Sequence, residues 1–282
     1  MERLIGIVIP SYNQGKYLER TIKSVLENKK HIDIKIAIVD GGSTDESVDI
    51  IKKYESEIDY WVSEKDKGQA DAINKGIMQL MDCRYFMWLN SDDVYDDEFA
   101  VRKIVDYTQK NNLQVCYGKS HYIDENDKII GDYPTEEYSY KRLGISCYLS
   151  QPSVLFSREA YQRVGKINVS LKMCLDYEYW MRLGRIYNFG YIEEYIGNTR
   201  IYGDTKTSTM RMRSLEEGIL IIYHYYGTVS KEWTLPRLHE GNEPKGILFR
   251  LALIIVRIPG KFKNFVIKRL IKRFDFTIDY MD

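Results

Sequence analysis

The chain has 282 residues, 44% apolar and 29% charged, which excludes a disordered or collagen-like polypeptide and allows one large domain with a buried core. Basic and acidic residues balance at 41 each, but Lys245 to Phe274 holds nine basic residues and no acidic one, leaving 32 basic against 41 acidic elsewhere. An acidic body with a basic tail argues against a nucleic-acid partner, and no run of 18 apolar residues predicts a membrane-spanning helix.

In chain order, Leu4–Ile9 is a continuous apolar run ended by Pro10 and reads as a buried strand. Tyr17, Leu18, Ile22, Val25 and Leu26 recur at helical spacing. Ile34–Val39 is a second buried strand, and Ser43-Thr44-Asp45-Glu46 offers a capping box into a helix carrying Val48, Ile51 and Tyr54. A short strand at Tyr60–Val62, a helix at Ala70–Leu80, a strand at Phe86–Leu89, a helix near Glu98–Gln109 and a strand at Val115–Tyr117 follow. This alternation predicts an α/β fold, a mostly parallel sheet with helices on both faces. Beyond it, Ser120–Asp124 and Lys128–Tyr133 read as a hairpin, Ser153–Phe156 as a strand, Arg158–Val164 as a helix closed by Gly165, and Leu175–Gly184 as a helix. Residues 206–240 read as helical, broken at Gly227 and Pro236.

Four cysteines, Cys83, Cys116, Cys147 and Cys174, lack metal-type spacing and fit reduced thiols of a cytosolic protein. The apolar run begins three residues from the start, without room for a signal peptide. The four histidines lack ligand spacing, and neither a P-loop nor a glycine fingerprint after the first strand occurs.

In an open parallel sheet, ligands bind beyond the carboxyl ends of the strands. Three strands end there in polar residues: Ser11-Tyr12-Asn13, Asp40-Gly41-Gly42-Ser43, and Asn90-Ser91-Asp92-Asp93. Adjacent carboxylates at the end of an apolar strand need a compensating cation or hydrogen bonds, and Mg²⁺ or Mn²⁺ takes one or two carboxylates together with substrate phosphates.

IVIPSYN (7–13), IVDGGSTDES (38–47), EKDKGQADAINKG (64–76), MWLNSDD (87–93), QPSVLFSREAYQRVG (151–165) and LDYEYWMRL (175–183) together resemble the inverting family 2 glycosyltransferases of GT-A fold, over residues 4–205. The resemblance implies a nucleotide-sugar donor held by Ser11, Tyr12, Asn13 and Asp40, with Asp71, Asn74 and Ser91 also lining it. It implies a divalent cation, Mg²⁺ or Mn²⁺, at Asp92 with Asp93 in support, although Asn90 stands where an aspartate is common. It makes Asp176 the general base, ahead of Glu178, for displacement of the diphosphate by an acceptor hydroxyl. Gln151-Pro152 reads either as a border of the acceptor pocket or as a turn, and Trp180 as core. The processive members' QxxRW is missing, which favours transfer of a single sugar.

The expected organisation is a glycosyltransferase domain over 1–205 (nucleotide half about 1–118, acceptor half about 119–205), a helical extension over 206–243, and a basic amphipathic tail over 244–282. Phe262, Phe265, Val266 and Leu270 among lysines and arginines suit an anionic membrane surface. The reading is an enzyme at the inner face of the cell membrane, moving a sugar from a nucleotide diphosphate, a UDP-sugar, to a glycan or lipid-linked acceptor. A sugar nucleotidyltransferase would want a glycine- and arginine-rich loop where SYNQGKY stands. A catalytically inactive nucleotide- or glycan-binding scaffold is the alternative that Asn90 favours.

Overall fold

A computed structural model of the chain describes residues 3–203 and 209–229. The described part falls into two compact units. The first comprises residues up to Tyr138, Tyr148–Ile167 and Ile186–Tyr202. Its main sheet has seven strands: β1 (Arg3–Ser11), β2 (Ile34–Asp40), β3 (Tyr60–Ser63), β4 (Cys83–Trp88), β6 (Val115–Lys119), β9 (Val154–Ser157) and β10 (Gly190–Tyr195). Their order is β10-β6-β9-β4-β1-β2-β3, and only β9 runs against the others. The chain proceeds outward from β1 to β3 and then returns to the other side of β1 as β4, so the sheet reverses direction between β1 and β4.

Alternation along β1 divides the helices between the two faces. Ile5, Ile7 and Ile9 join one buried cluster with Leu18, Ile22 and Val25 of α1 (Gly15–Lys29), Ile51 of α2 (Ser47–Lys53), and Val101, Ile104 and Val105 of α4 (Ala100–Lys110). Val8 points the other way, onto α3 (Gln69–Gln79), where a Cβ on Gly76 would lie 2.4 Å from a Val8 methyl, so only glycine admits this approach. On the same face, Phe86 of β4 meets Tyr161 of α6 (Arg158–Val164) edge-on at 5.9 Å. The α/β class with helices on both faces is as the sequence predicts.

A second sheet of β5 (Val94–Tyr95), β11 (Gly197–Arg200), β7 (His121–Ile123) and β8 (Ile129–Asp132) lies in the same unit, with β7 and β8 forming the expected hairpin. The capping box is a correction. The α2 helix starts at Ser47 without a side-chain cap from Glu46; Asp45 Oδ1 accepts from the Ser47 amide at 3.0 Å and Oδ2 from the Gly15 amide at 2.9 Å, while Ser43 is engaged by Asp40 and Asn13.

The second unit comprises Ser139–Cys147, Asn168–Arg185 and the described residues from 203 on. It contains α5 (Tyr140–Leu143), α7 (Leu175–Gly184) and α8 (Arg211–Tyr226), the last ending at Gly227 in the left-handed region, φ +69°. Tyr177 donates to the Leu143 carbonyl at 2.6 Å and Tyr226 to that of Tyr140. The sequence readings at Pro236 and for the tail over 244–282 lie outside the described residues. Among the described residues no helix is long and apolar enough to cross a membrane, and Cys83, Cys116, Cys147 and Cys174 are free thiols.

Candidate active site

The loops after β1, β2 and β4 are joined by hydrogen bonds in the first unit. The Gly41 amide donates to the Ser11 carbonyl at 2.8 Å, continuing the β1–β2 ladder one step past the sheet. Asn13 takes a positive φ of 50°, a conformation asparagine tolerates, and this aims both its groups at the second loop. Its amide donates to Ser43 Oγ at 2.7 Å, and its Oδ1 accepts from the Thr44 amide at 2.9 Å. Ser11 is buried, and among the described residues its Oγ has no partner. Tyr12 is 62% exposed, and a Cβ on Gly41 would come within 3.3 Å of its ring and 3.0 Å of the Asp66 carboxylate. Bare backbone therefore lines the space beneath an open aromatic face.

Asp40 is fully buried. Its Oδ2 accepts from the amides of Gly42 (3.1 Å) and Ser43 (2.8 Å) and from Ser63 Oγ (2.7 Å), and its Oδ1 from Ser43 Oγ. Its carboxylate thus shapes the glycine loop, with Gly42 at φ +83° where side chains are strained. Asp71, in the first turn of α3, accepts from the Lys67 amide at 3.1 Å and pairs with Lys75 at 3.4 Å. Asn74 is turned away from the loops: Nδ2 donates to the Ile167 carbonyl (2.8 Å) and Oδ1 accepts from the Ile167 amide (2.9 Å). The start of α3 reaches the β4 loop through Gln69, whose Nε2 donates to Asn90 Oδ1 at 2.7 Å.

The β4 loop carries the carboxylates. Ser91 and Asp93 are buried, and Asp92 is partly exposed. Asp93 Oδ1 accepts from the Arg200 amide at 2.9 Å and Oδ2 from Asn90 Nδ2 at 3.0 Å. Both of its oxygens are occupied from within the protein. Asp92 Oδ2 accepts from the Tyr202 hydroxyl at 2.8 Å, and no donor from another described residue reaches Oδ1. Burial pushes Asp92 above the usual carboxylate range, against the Tyr202 hydrogen bond and the charge of Arg200. Burial and then the neighbouring Asp92 charge push Asp93 well above it. Such a pair gains most from an added positive charge. Among the described residues no three His, Cys, Asp or Glu side chains surround a common point. One open carboxylate oxygen fits a cation that completes its shell with phosphate oxygens and water.

Two residues that sequence reasoning missed, Arg200 and Tyr202, hold this loop. The Arg200 side chain, at the end of β11, is fully buried. Its Nε donates to the Asp92 carbonyl (2.6 Å), its Nη1 to the Asp124 carbonyl (2.7 Å) and its Nη2 to Asp127, and its guanidinium lies 4.8 Å from the Tyr17 ring centre. Tyr202 links loops by accepting from Gln14 Nε2 at 3.3 Å while donating to Asp92. Gln151, which the sequence offers as a pocket border or a turn, lies in a 3₁₀ turn before β9, donates to the Trp88 carbonyl at 2.6 Å and keeps a buried Oε1 without a partner among the described residues.

In the second unit, Asp176 lies in the first turn of α7 and is partly exposed, whereas Glu178 is buried, accepting from Arg182 Nη2 at 2.8 Å and from the Tyr225 hydroxyl at 2.6 Å. Trp180 is fully buried, as expected of a core residue.

The fold and the loops have clear relatives. An uncharacterized glycosyltransferase of Rickettsia prowazekii is 31% identical over 227 residues, covering 76% of this chain and 69% of its own. The crystal structure of S. aureus TarS 1–349 in complex with UDP-GlcNAc superimposes with a TM-score of 0.62 at 12% identity, over 98% of this chain and 73% of that one. The mannosyltransferase PcManGT from Pyrobaculum calidifontis, in complex with GDP-Man and Mn²⁺, gives 0.58 at 11% identity, over 99% and 82%. The likeness to both structures is one of fold, the GT-A arrangement. The family model for glycosyl transferase family 2 matches residues 6–165, more than half of the sequence, and the chain belongs to that family.

Proposed function

We propose that this glycosyltransferase moves a single sugar, with inversion, from a UDP-sugar to a hydroxyl of a glycan or lipid-linked glycan. The observation that carries the donor half is Asp92, a carboxylate with one oxygen open at the end of β4, in a loop locked by Arg200 and Asp93. The TarS and PcManGT complexes, each holding a nucleoside diphosphate sugar on a GT-A fold, support a donor of that class here.

In this reading the Ser11–Asn13 and Asp40–Ser43 loops bind the nucleoside, with the exposed Tyr12 ring and bare Gly41 backbone beside it. Asp92 would hold the divalent cation through the oxygen that no other described residue's donor reaches. When bound, the cation offsets the negative charge that develops on the departing diphosphate. Asp93 keeps the loop in place and adds negative charge behind Asp92. Asp176 accepts the proton of the acceptor hydroxyl as its oxygen attacks the anomeric carbon, and the carbon–oxygen bond to the diphosphate breaks with its electron pair leaving on UDP. One base suffices, since no glycosyl-enzyme intermediate forms. Glu178 is committed to Arg182 and Tyr225, which supports Asp176 in the role. The basic tail over 244–282 would bring the enzyme to the anionic inner face of the membrane.

Release of UDP from UDP-sugars in the presence of Mg²⁺ or Mn²⁺ tests the reaction; binding without turnover would instead indicate an inactive scaffold. Asp176→Asn keeps shape but cannot accept a proton, so transfer should fall on the order of 10²- to 10⁴-fold with UDP affinity unchanged. A larger loss in Glu178→Gln, at retained stability, would reverse the choice of base.

A further inference from the structure

Glu217 lies within α8 and is fully buried. A buried carboxylate needs several donors, and three of those it has are consecutive backbone amides. Its oxygens accept from Lys172 at 3.1 Å, Met173 at 2.8 Å and Cys174 at 3.1 Å, and from Arg213 Nε at 2.6 Å. Those amides lead directly into α7, whose N-cap residue Cys174 provides no side-chain cap. Amides at a helix start have no acceptor within their own helix, and the helix dipole favours a negative charge there. Glu217 thus fixes, from a helix some 40 residues downstream, the segment that leads into α7, up to and including the amide of its N-cap residue Cys174. The Cys174 thiol donates to the Ser214 carbonyl at 3.3 Å, fastening the same point a second time.

Two residues beyond the clamped segment is Asp176. From Leu175 to Leu183 every residue is buried except Asp176. The Asp176 side chain therefore leaves the helix at its first turn, just beyond the segment that Glu217 holds.

We propose that Glu217 is a positioning residue for the transfer step: it sets the entry of α7 and through it the placement of the Asp176 carboxylate. The inference rests on the reading of Asp176 as the base. It also gives α8 a part in the reaction, although α8 lies beyond the residues matched by the family model.

The test uses the full-length chain. Glu217→Gln keeps the size but turns one acceptor oxygen into an NH₂ donor facing backbone donors. Tyr225→Phe, which removes a hydrogen bond from the end of α8 to Glu178 of α7, is the control for a general loosening of the two helices. For Glu217→Gln, kcat should fall 10- to 100-fold with the donor KM within threefold of wild type. Alkylation of Cys174, followed by peptide mass spectrometry, should accelerate at least tenfold. Tyr225→Phe should lower Tm while kcat stays within threefold. A wild-type kcat in Glu217→Gln with accelerated Cys174 labelling overturns the proposal, as does an equal kcat loss in Tyr225→Phe. If Glu217→Gln does not fold, Glu217→Asp, which keeps the charge but falls short of the amides, takes its place and must show a kcat loss of at least threefold. Asp176→Asn is assayed in parallel. Full activity there overturns the base assignment itself, whereas a loss there with none in the Glu217 variant overturns only the positioning role.

Discussion

Asp40, Asp92 and Asp93 lie on neighbouring loops of one unit, yet only Asp92 keeps an oxygen that no other described residue's donor reaches. The chemistry assigned to the cation therefore concentrates on one side chain. Asp92→Asn should remove the dependence of UDP binding on Mg²⁺ or Mn²⁺ and lower transfer on the order of 10²-fold or more, the scale of losing one electrostatic contact to a transition state. Titration calorimetry with and without cation checks it; a variant whose UDP affinity still responds to Mn²⁺ as the wild type does would sink the assignment. The carboxylates and their loops were legible in the sequence because polar residues at the ends of apolar strands have few other reasons to be there. Arg200 was not legible, since an isolated arginine reads as surface and only the packing of β11 beside β7 buries it. Asn74 sits within a matching motif, and its amide is engaged by the backbone of Ile167, 93 residues away, a contact that the sequence does not reveal.

At the scale of elements, the periodicity of apolar residues located β1 to β4, α1, α3, α4, α6 and α7 to within a few residues. It missed β5, β10 and β11, whose sequences (VY, GYIEEY and GNTR) have no long apolar run or clean alternation. It also gave no sign that β9 runs backwards, because direction is a property of pairing and not of composition. The pairing of α1 with α2 yields a pH prediction. Glu19 accepts from Lys53 Nζ at 2.8 Å and from the Tyr54 hydroxyl at 2.6 Å, and pairs with Lys23 at 3.3 Å. These contacts, that with Lys53 foremost, hold its carboxyl down to about 2 from an ordinary 4.5. A lowered folded-state pKa means stability that is present above the unfolded value and lost as pH falls through the folded one. Wild type should therefore lose an increment between about pH 4.5 and 2 that Glu19→Gln never has. Because the side chain is a third exposed, the increment should be no more than about 1 kcal/mol. Urea midpoints at pH 6 and pH 3 for both proteins measure it; identical acid limbs would contradict it.

At the scale of the whole molecule, the change from an acidic body to a basic tail bears on where the enzyme works. Nine basic residues at about 1 kcal/mol each near an anionic leaflet supply several kcal/mol even when only half face the lipid. Deleting residues 245–282 should leave a folded body that still releases UDP from its donor, and should abolish binding to phosphatidylserine vesicles. Binding by the full-length chain should weaken as salt rises, since screening acts beyond about 8 Å at physiological ionic strength. Vesicle sedimentation reads both, and an unfolded truncated protein would show the tail to be part of the packed structure instead. One contact already described also orders events in time. Arg200 donates to the Asp92 carbonyl across 108 residues, and its amide to Asp93 across 107. Strands β1 to β4 pair within the first 88 residues, so on the ribosome the sheet can form long before β11 emerges. A nascent chain halted short of Arg200 would carry the strands β1 to β4 with its carboxylate loop still unlatched, so the loop is locked only after Arg200 has emerged.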